Sequence, residues 1–126
     1  MKKTAMDMVA EAKAKVQNLN PDQVAREMEA GALIVDVREP NERAEASIPG
    51  SISAPRGMLE FYADPTLPYH KKEFAFDKRI ILHCAGGGRS ALAASTLQQM
   101  GYTNVAHLDG GMKAWQEAGK PVEPGK

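Results

Sequence analysis

The chain has 126 residues, 43% of them hydrophobic, and its sixteen basic and sixteen acidic side chains cancel to a net charge of zero. That length suits one domain with a real core and is too short for two, and the composition argues against disorder. No segment concentrates one sign of charge, so nucleic acid has no electrostatic footprint to meet; one cysteine excludes an internal disulfide, and with three scattered histidines it leaves no expectation of a metal site.

The opening Met1-Lys2-Lys3 is not followed by an apolar leader, because Asp7, Glu11, Lys13 and Lys15 interrupt the run. No stretch approaches membrane-spanning length, so a cytoplasmic protein without membrane contact is expected. Ala5, Met8, Val9, Ala12 and Val16 recur at three-to-four spacing and predict an amphipathic first helix with a solvated polar face. Asn20-Pro21-Asp22-Gln23 predicts a helix start, with Asn20 as cap, Pro21 at the first position and Gln23 reaching back. Val24, Ala25 and Met28 give that helix its buried side, and Gly31 stops it.

Leu33-Ile34-Val35 reads as a buried strand running into Asp36-Val37-Arg38-Glu39, where Arg38 and Glu39 suggest a structural ion pair. Pro40 begins a short helix through Glu45, and Ile48-Pro49-Gly50 turns the chain before Ser51-Ile52. Residues 54 to 78 are the least regular: Arg56 to Tyr62 offers one or two helical turns, and Pro65, Pro68, Tyr69 and His70 mark an ordered excursion, either functional or a surface embellishment. Arg79-Ile80-Ile81-Leu82 is a second buried strand, and Asn104 to Leu108 a third. Between them Ala93, Thr96, Leu97 and Met100 recur at helical spacing up to Gly101. Gly110-Gly111 leads into a last helix, capped by Asp109, with Met112 and Trp115 on its core side. Strands alternating with helices predict an α/β fold, a parallel sheet covered on both faces.

The most informative stretch is His83-Cys84-Ala85-Gly86-Gly87-Gly88-Arg89-Ser90. A lone free cysteine is commonly a small buried hydrophobe, and a glycine triplet is commonly only a loop. Here the thiol sits where a strand ends, a glycine loop follows and a helix begins, the place where an α/β sheet presents ligands. Glycines let successive N–H groups turn inward as an anion nest, the helix start adds partial positive charge, and Arg89 adds a full one. These surroundings suit an activated nucleophile, Cys84, cradled by Ala85, Gly86, Gly87, Gly88 and Arg89. His83 is read as satisfying a buried hydrogen bond at the strand end rather than acting as a base.

Asp36-Val37-Arg38-Glu39-Pro40, Ile48-Pro49-Gly50, the loop from Cys84 to Arg89, and Leu108-Asp109-Gly110-Gly111-Met112-Lys113-Ala114-Trp115 occur in that order. Together they resemble a single-domain rhodanese, a thiosulfate sulfurtransferase-type protein, from about Asn18 to Pro121. The resemblance implies a rhodanese-like five-stranded parallel sheet with helices on both faces, residues 18–122, preceded by a helical extension, residues 1–17. It also implies a cysteine that carries sulfur as a persulfide. Two positions depart from the family pattern: Ser47 stands where a histidine is frequent, loosening a structural hydrogen bond, and Arg43 stands where an aromatic is frequent, at the rim of the site or facing solvent. Four residues separate Cys84 from Arg89, one fewer than in the phosphatases that share this kind of cradle, including the rhodanese-related cell-cycle phosphatases. The shorter ring suits one added sulfur atom better than a tetrahedral phosphate.

The expected reaction is a ping-pong transfer in which Cys84 takes sulfane sulfur from a small anionic donor such as thiosulfate and passes it to a thiol or cyanide acceptor, with no cofactor. A carrier module handing the persulfide to a sulfur-accepting protein is the alternative, and a cysteine-dependent phosphatase or arsenate reductase a more distant one. Arg89 either contacts the donor or, as its place at the closing end of the loop favours, braces the loop; the resemblance suggests Asp36 and Glu42 as its carboxylate partners. Arg56, Tyr69 and His70 are candidates either for the pocket rim or for surface packing.

Overall fold

A computed structural model describes residues 2–125. The chain begins with α1 (Ala5–Lys15), whose Thr4 cap and Asp7 exchange hydrogen bonds in a capping box, and continues into a three-residue strand β1 (Gln17–Leu19). The capping box foreseen at Asn20 and Gln23 opens α2 (Pro21–Glu29), followed by β2 (Leu33–Asp36), α3 (Pro40–Glu45) and the short β3 (Ile52–Ser53). A 3-10 turn (Arg56–Met58) and α4 (Leu59–Ala63) occupy the start of the irregular excursion. Then come β4 (Ile80–His83), α5 (Gly88–Gln99), β5 (Val105–Leu108) and α6 (Gly111–Glu117).

All strand pairs are parallel, in the order β1-β5-β4-β2-β3. Side chains alternate across the sheet. Val35, Ile80, Leu82 and Val105 face a core shared with α4 and α5, while Ile34, Ile81, Ala106 and Leu108 face α2 and α6. Near-continuous apolar runs in the central strands follow from this burial on both faces.

Residues 17–19 lie between two predicted helices and carry no strand pattern, yet they form the sheet edge, register-paired with Ala106, His107 and Leu108. The N-terminal stretch read as an extension packs on α5: Val9 and Ala12 form a small cluster with Ala91, and Val16 enters the larger core. The excursion is anchored from within, since Tyr102 donates its hydroxyl to the Ala63 carbonyl at 2.6 Å and Phe74 is buried edge-on against the Tyr102 ring. Asp109 does not cap α6; Gly110 stands at that position with φ +82°, and the Asp109 carboxylate pairs with Lys13 at 3.1 Å instead. The positive φ leaves this helix start to glycine, so the carboxylate is free for α1.

Candidate active site

Cys84 follows β4 directly, at the carboxyl edge of the sheet, and is 1% exposed. Its Sγ accepts the Gly87 N–H at 3.1 Å and the Ser90 N–H at 3.4 Å. Both donors belong to the loop closing onto the first turn of α5, so the sulfur sits at the positive end of a twelve-residue helix. The N–H groups of Ala85, Gly86, Gly88 and Arg89 find no acceptor among the described residues, which leaves them available to an anion bound at the loop. Gly87 adopts φ +105° at the helix cap, a conformation that lets the chain curl under the sulfur and that side chains resist.

The β5–α6 turn supports the loop from behind. Met112 N–H donates to the Cys84 carbonyl at 2.8 Å and Lys113 N–H to the Ala85 carbonyl at 3.1 Å. A Cβ on Gly111 would lie 2.6 Å from the Cys84 and Ala85 carbonyl oxygens, and φ there is +58°. The paired glycines before Met112 thus serve close backbone approach to the cysteine loop.

Arg89 is clamped by Glu42 through two hydrogen bonds of 2.8 and 3.0 Å, a bidentate pair. The Arg89 hydrogen bond, working against burial, holds the Glu42 carboxyl down at about 2. Glu42 also accepts the Glu39 N–H at 3.1 Å, so one carboxylate caps α3 and grips the first turn of α5. Asp36 is not a partner of Arg89. Fully buried, it accepts the Arg38 N–H, Nε and Nη2 at 2.9 to 3.0 Å, and this pair replaces the expected one between Arg38 and Glu39. Burial raises the Asp36 carboxyl, but the Arg38 hydrogen bonds outweigh it and keep it below the usual range.

Arg43 neither rims the site nor faces solvent: it is buried, reaching Asp36 at 3.4 Å and the Ser51 hydroxyl and carbonyl at 2.9 and 2.8 Å. Ser47, buried as well, exchanges backbone hydrogen bonds with Glu123 at 2.7 and 3.0 Å. His83 donates Nδ1–H to the Cys84 carbonyl at 3.3 Å, which leaves its buried Nε2 unprotonated and without a partner. Burial pushes His83 down to about 4, so the ring near Asp36 is neutral.

Arg56 is engaged with Glu60 at 2.8 Å and with Thr96 at 3.1 Å, eight residues along α5 from its start. His70 Nε2 meets the Phe74 carbonyl, and Tyr69 is exposed; none of the three hydrogen-bonds to the cysteine loop. A cleft of about 530 Å³ lies at the opposite end of the strands beside Gln17, Glu27, Lys78, Arg79 and Asn104, so size alone does not locate the chemistry.

Three residues near the sulfur carry no role in the sequence reading. Ser90 Oγ lies 3.6 Å from Cys84 Sγ and 2.9 Å from His107 Nδ1, and His107 Nε2 lies 2.6 Å from Asn18 Oδ1. His107 shares the α5-facing side of β5 with Val105, and a histidine at a core-facing position of an apolar strand is the one sequence signal for it.

A family model described as the rhodanese-like domain matches residues 20–118. A sulfurtransferase of Allochromatium vinosum is 33% identical over 90 residues, covering 71% of this chain and 77% of its own length. A thiosulfate sulfurtransferase of Pseudoalteromonas translucida is 35% identical over 86 residues, covering 68% and 74%. A solved structure from Rhodopseudomonas palustris, of a protein of unknown function described as a possible tyrosine phosphatase, superposes with a TM-score of 0.91 at 43% identity, covering 98% of this chain and 96% of that one. With the cysteine loop, its carboxylate clamp and the paired-glycine support all arranged on a five-stranded parallel sheet, the chain belongs to the rhodanese-like family.

Proposed function

We propose that the protein is a sulfurtransferase moving a sulfane sulfur from a thiosulfate-like donor to a thiophilic acceptor through a persulfide on Cys84. The observation that carries this reading is the placement of Cys84 Sγ under the Gly87 and Ser90 amides, with four further loop N–H groups uncommitted. The Cys84 thiolate attacks the outer sulfur of thiosulfate, a new S–S bond forms, and sulfite leaves with the electron pair of the broken one. The outer sulfur then carries the charge, and the uncommitted amides are the groups able to stabilise it without reorganising. An acceptor thiolate or cyanide attacks that outer sulfur and regenerates Cys84. Arg89 is braced by Glu42, and its part is to hold the loop in shape.

The likeness to a protein described as a possible tyrosine phosphatase raises phosphate-ester hydrolysis as a second reading. Two observations oppose it. Only four residues separate Cys84 from Arg89. The loop from Cys84 to Ser90 itself carries no carboxylic acid to protonate a leaving oxygen, and Glu42 is held ionised by Arg89.

The test is intact mass after incubation with thiosulfate. One sulfur should be gained by the wild-type chain, lost again on adding cyanide, and absent in Cys84→Ser, whose oxygen cannot form a persulfide. Turnover of p-nitrophenyl phosphate with no mass gain would replace sulfur transfer with phosphate chemistry. Loading without turnover on small acceptors would identify a carrier that delivers sulfur to a protein.

A further inference from the structure

Cys84, Ser90, His107 and Asn18 form a continuous hydrogen-bonded line running from the buried sulfur toward α1. Its direction follows from its far end. The Asn18 Nδ2 donates to the Lys13 and Val16 carbonyls at 3.0 and 3.2 Å, so Oδ1 is the amide atom turned toward His107. An acceptor at 2.6 Å requires the proton on His107 Nε2, which leaves Nδ1 as a bare lone pair facing the Ser90 hydroxyl at 2.9 Å. The Ser90 hydroxyl has one proton and two acceptors in reach, the Gly87 carbonyl at 3.2 Å and this lone pair at 2.9 Å; donated along the shorter contact, it leaves the oxygen lone pairs turned to the Cys84 thiol. Around the sulfur, the Gly87 and Ser90 N–H groups are donors, so Ser90 Oγ is the group able to receive the thiol proton.

We propose that His107 is the proton acceptor for Cys84, acting as a positioning residue through Ser90 to generate the thiolate. The S–H bond of Cys84 breaks and its proton passes to Ser90 Oγ while the Ser90 hydroxyl proton passes to His107 Nδ1. Ser90 ends as it began, Cys84 is a thiolate and His107 an imidazolium, and the net charge is unchanged. The Nε2–H stays on Asn18 throughout. Burial pushes His107 down to about 4, so the ring starts neutral and takes the proton only in exchange for the thiolate charge that the Gly87 and Ser90 amides stabilise. Other charges bear on the pair from each side. Asp109 on the β5–α6 turn favours the imidazolium, and Lys13 on α1 opposes it; the two are paired at 3.1 Å. Arg89 on α5 favours the thiolate, and His83 beside Cys84 is neutral.

The proposal rests on Cys84 being the reactive thiol, and iodoacetamide alkylation tests it without a persulfide, so a failure of sulfur loading leaves it standing or falling by itself. Glutamine at 107 keeps an acceptor for Ser90 but cannot take a proton. Alkylation of His107→Gln and His107→Leu should be about tenfold slower than wild type near pH 6, where the thiol needs an internal acceptor. The difference should shrink to within about twofold near pH 9, where solvent removes the proton. An equal loss at both pH values would mean a structural role only, and a wild-type rate for His107→Gln near pH 6 would mean that His107 is a mere hydrogen-bond acceptor; either overturns the relay. Should the variants not fold, imidazole nitrogen NMR on the wild-type chain decides, since the relay requires the proton on Nε2 at neutral pH and a proton on Nδ1 refutes it.

Discussion

Gly111 combines a backbone at φ +58° with a Cβ direction aimed into the Cys84 and Ala85 carbonyls. A methyl group there meets rigid backbone, so the turn must move away from the cysteine loop and break the Met112 and Lys113 hydrogen bonds that support it. Gly111→Ala should therefore cost at least about 2 kcal/mol in urea unfolding and reduce sulfur loading as well. Stability within a few tenths of wild type would show that the approach is not tight. Gly87→Ala separates the two effects, because its Cβ would meet the Gly110 nitrogen at 3.1 Å while its strain falls directly under the sulfur. At this scale, residue type follows from space and backbone angle rather than from side-chain chemistry.

Among the helices, α3 and α5 are joined by Glu42 and Arg89, and through that clamp the buried Asp36–Arg38 turn after β2 reaches the site. Glu42→Gln keeps the shape but removes the charge that holds Arg89. The pair is partly exposed, so the expected stability loss is only about 1 kcal/mol. The functional loss should be larger, because the freed arginine no longer braces the loop: persulfide formation should slow by about tenfold. A variant that loads sulfur at the wild-type rate would show that the loop keeps its form without the clamp.

Across the whole molecule, acid should act in two separate windows. His83 and His107 are both pushed by burial from 6.5 down to about 4. The unfolded chain takes up protons below 6.5 that the folded chain refuses, so this stability is complete above 6.5, declines as pH falls and is exhausted near 4. Glu42, held by Arg89 from 4.5 down to about 2, loses its contribution lower, as pH falls through that range. The histidines together should remove on the order of 3–6 kcal/mol, a large share of a typical domain's stability. Urea midpoints should thus drop clearly between about pH 7 and about pH 4.5. A flat midpoint over that interval would mean that the rings take up protons from solvent while folded, a net uptake that transfer from Cys84 to His107 does not involve.

Local patterns determined much of this protein. The Asn20 capping box, the proline start of α3, the apolar runs of β2 and β4 and the cysteine-glycine-helix sequence each depend on neighbours a few residues apart, so the chain order displays them directly. Three-residue β1 has no such pattern, because it becomes a strand only by pairing with β5, nearly ninety residues later. The same pairing sets Asn18 beside His107, and the packing of α5 over that face brings Ser90 to them. Which carboxylate holds which arginine was legible only in part: the resemblance put forward both Asp36 and Glu42 for Arg89, and Glu42 does hold it from forty-seven residues away, whereas Asp36 holds Arg38 two residues along the chain. Periodicity and capping are written within a few residues, whereas a hydrogen-bond partner across the sheet is selected only when tertiary packing removes water from the competing choices.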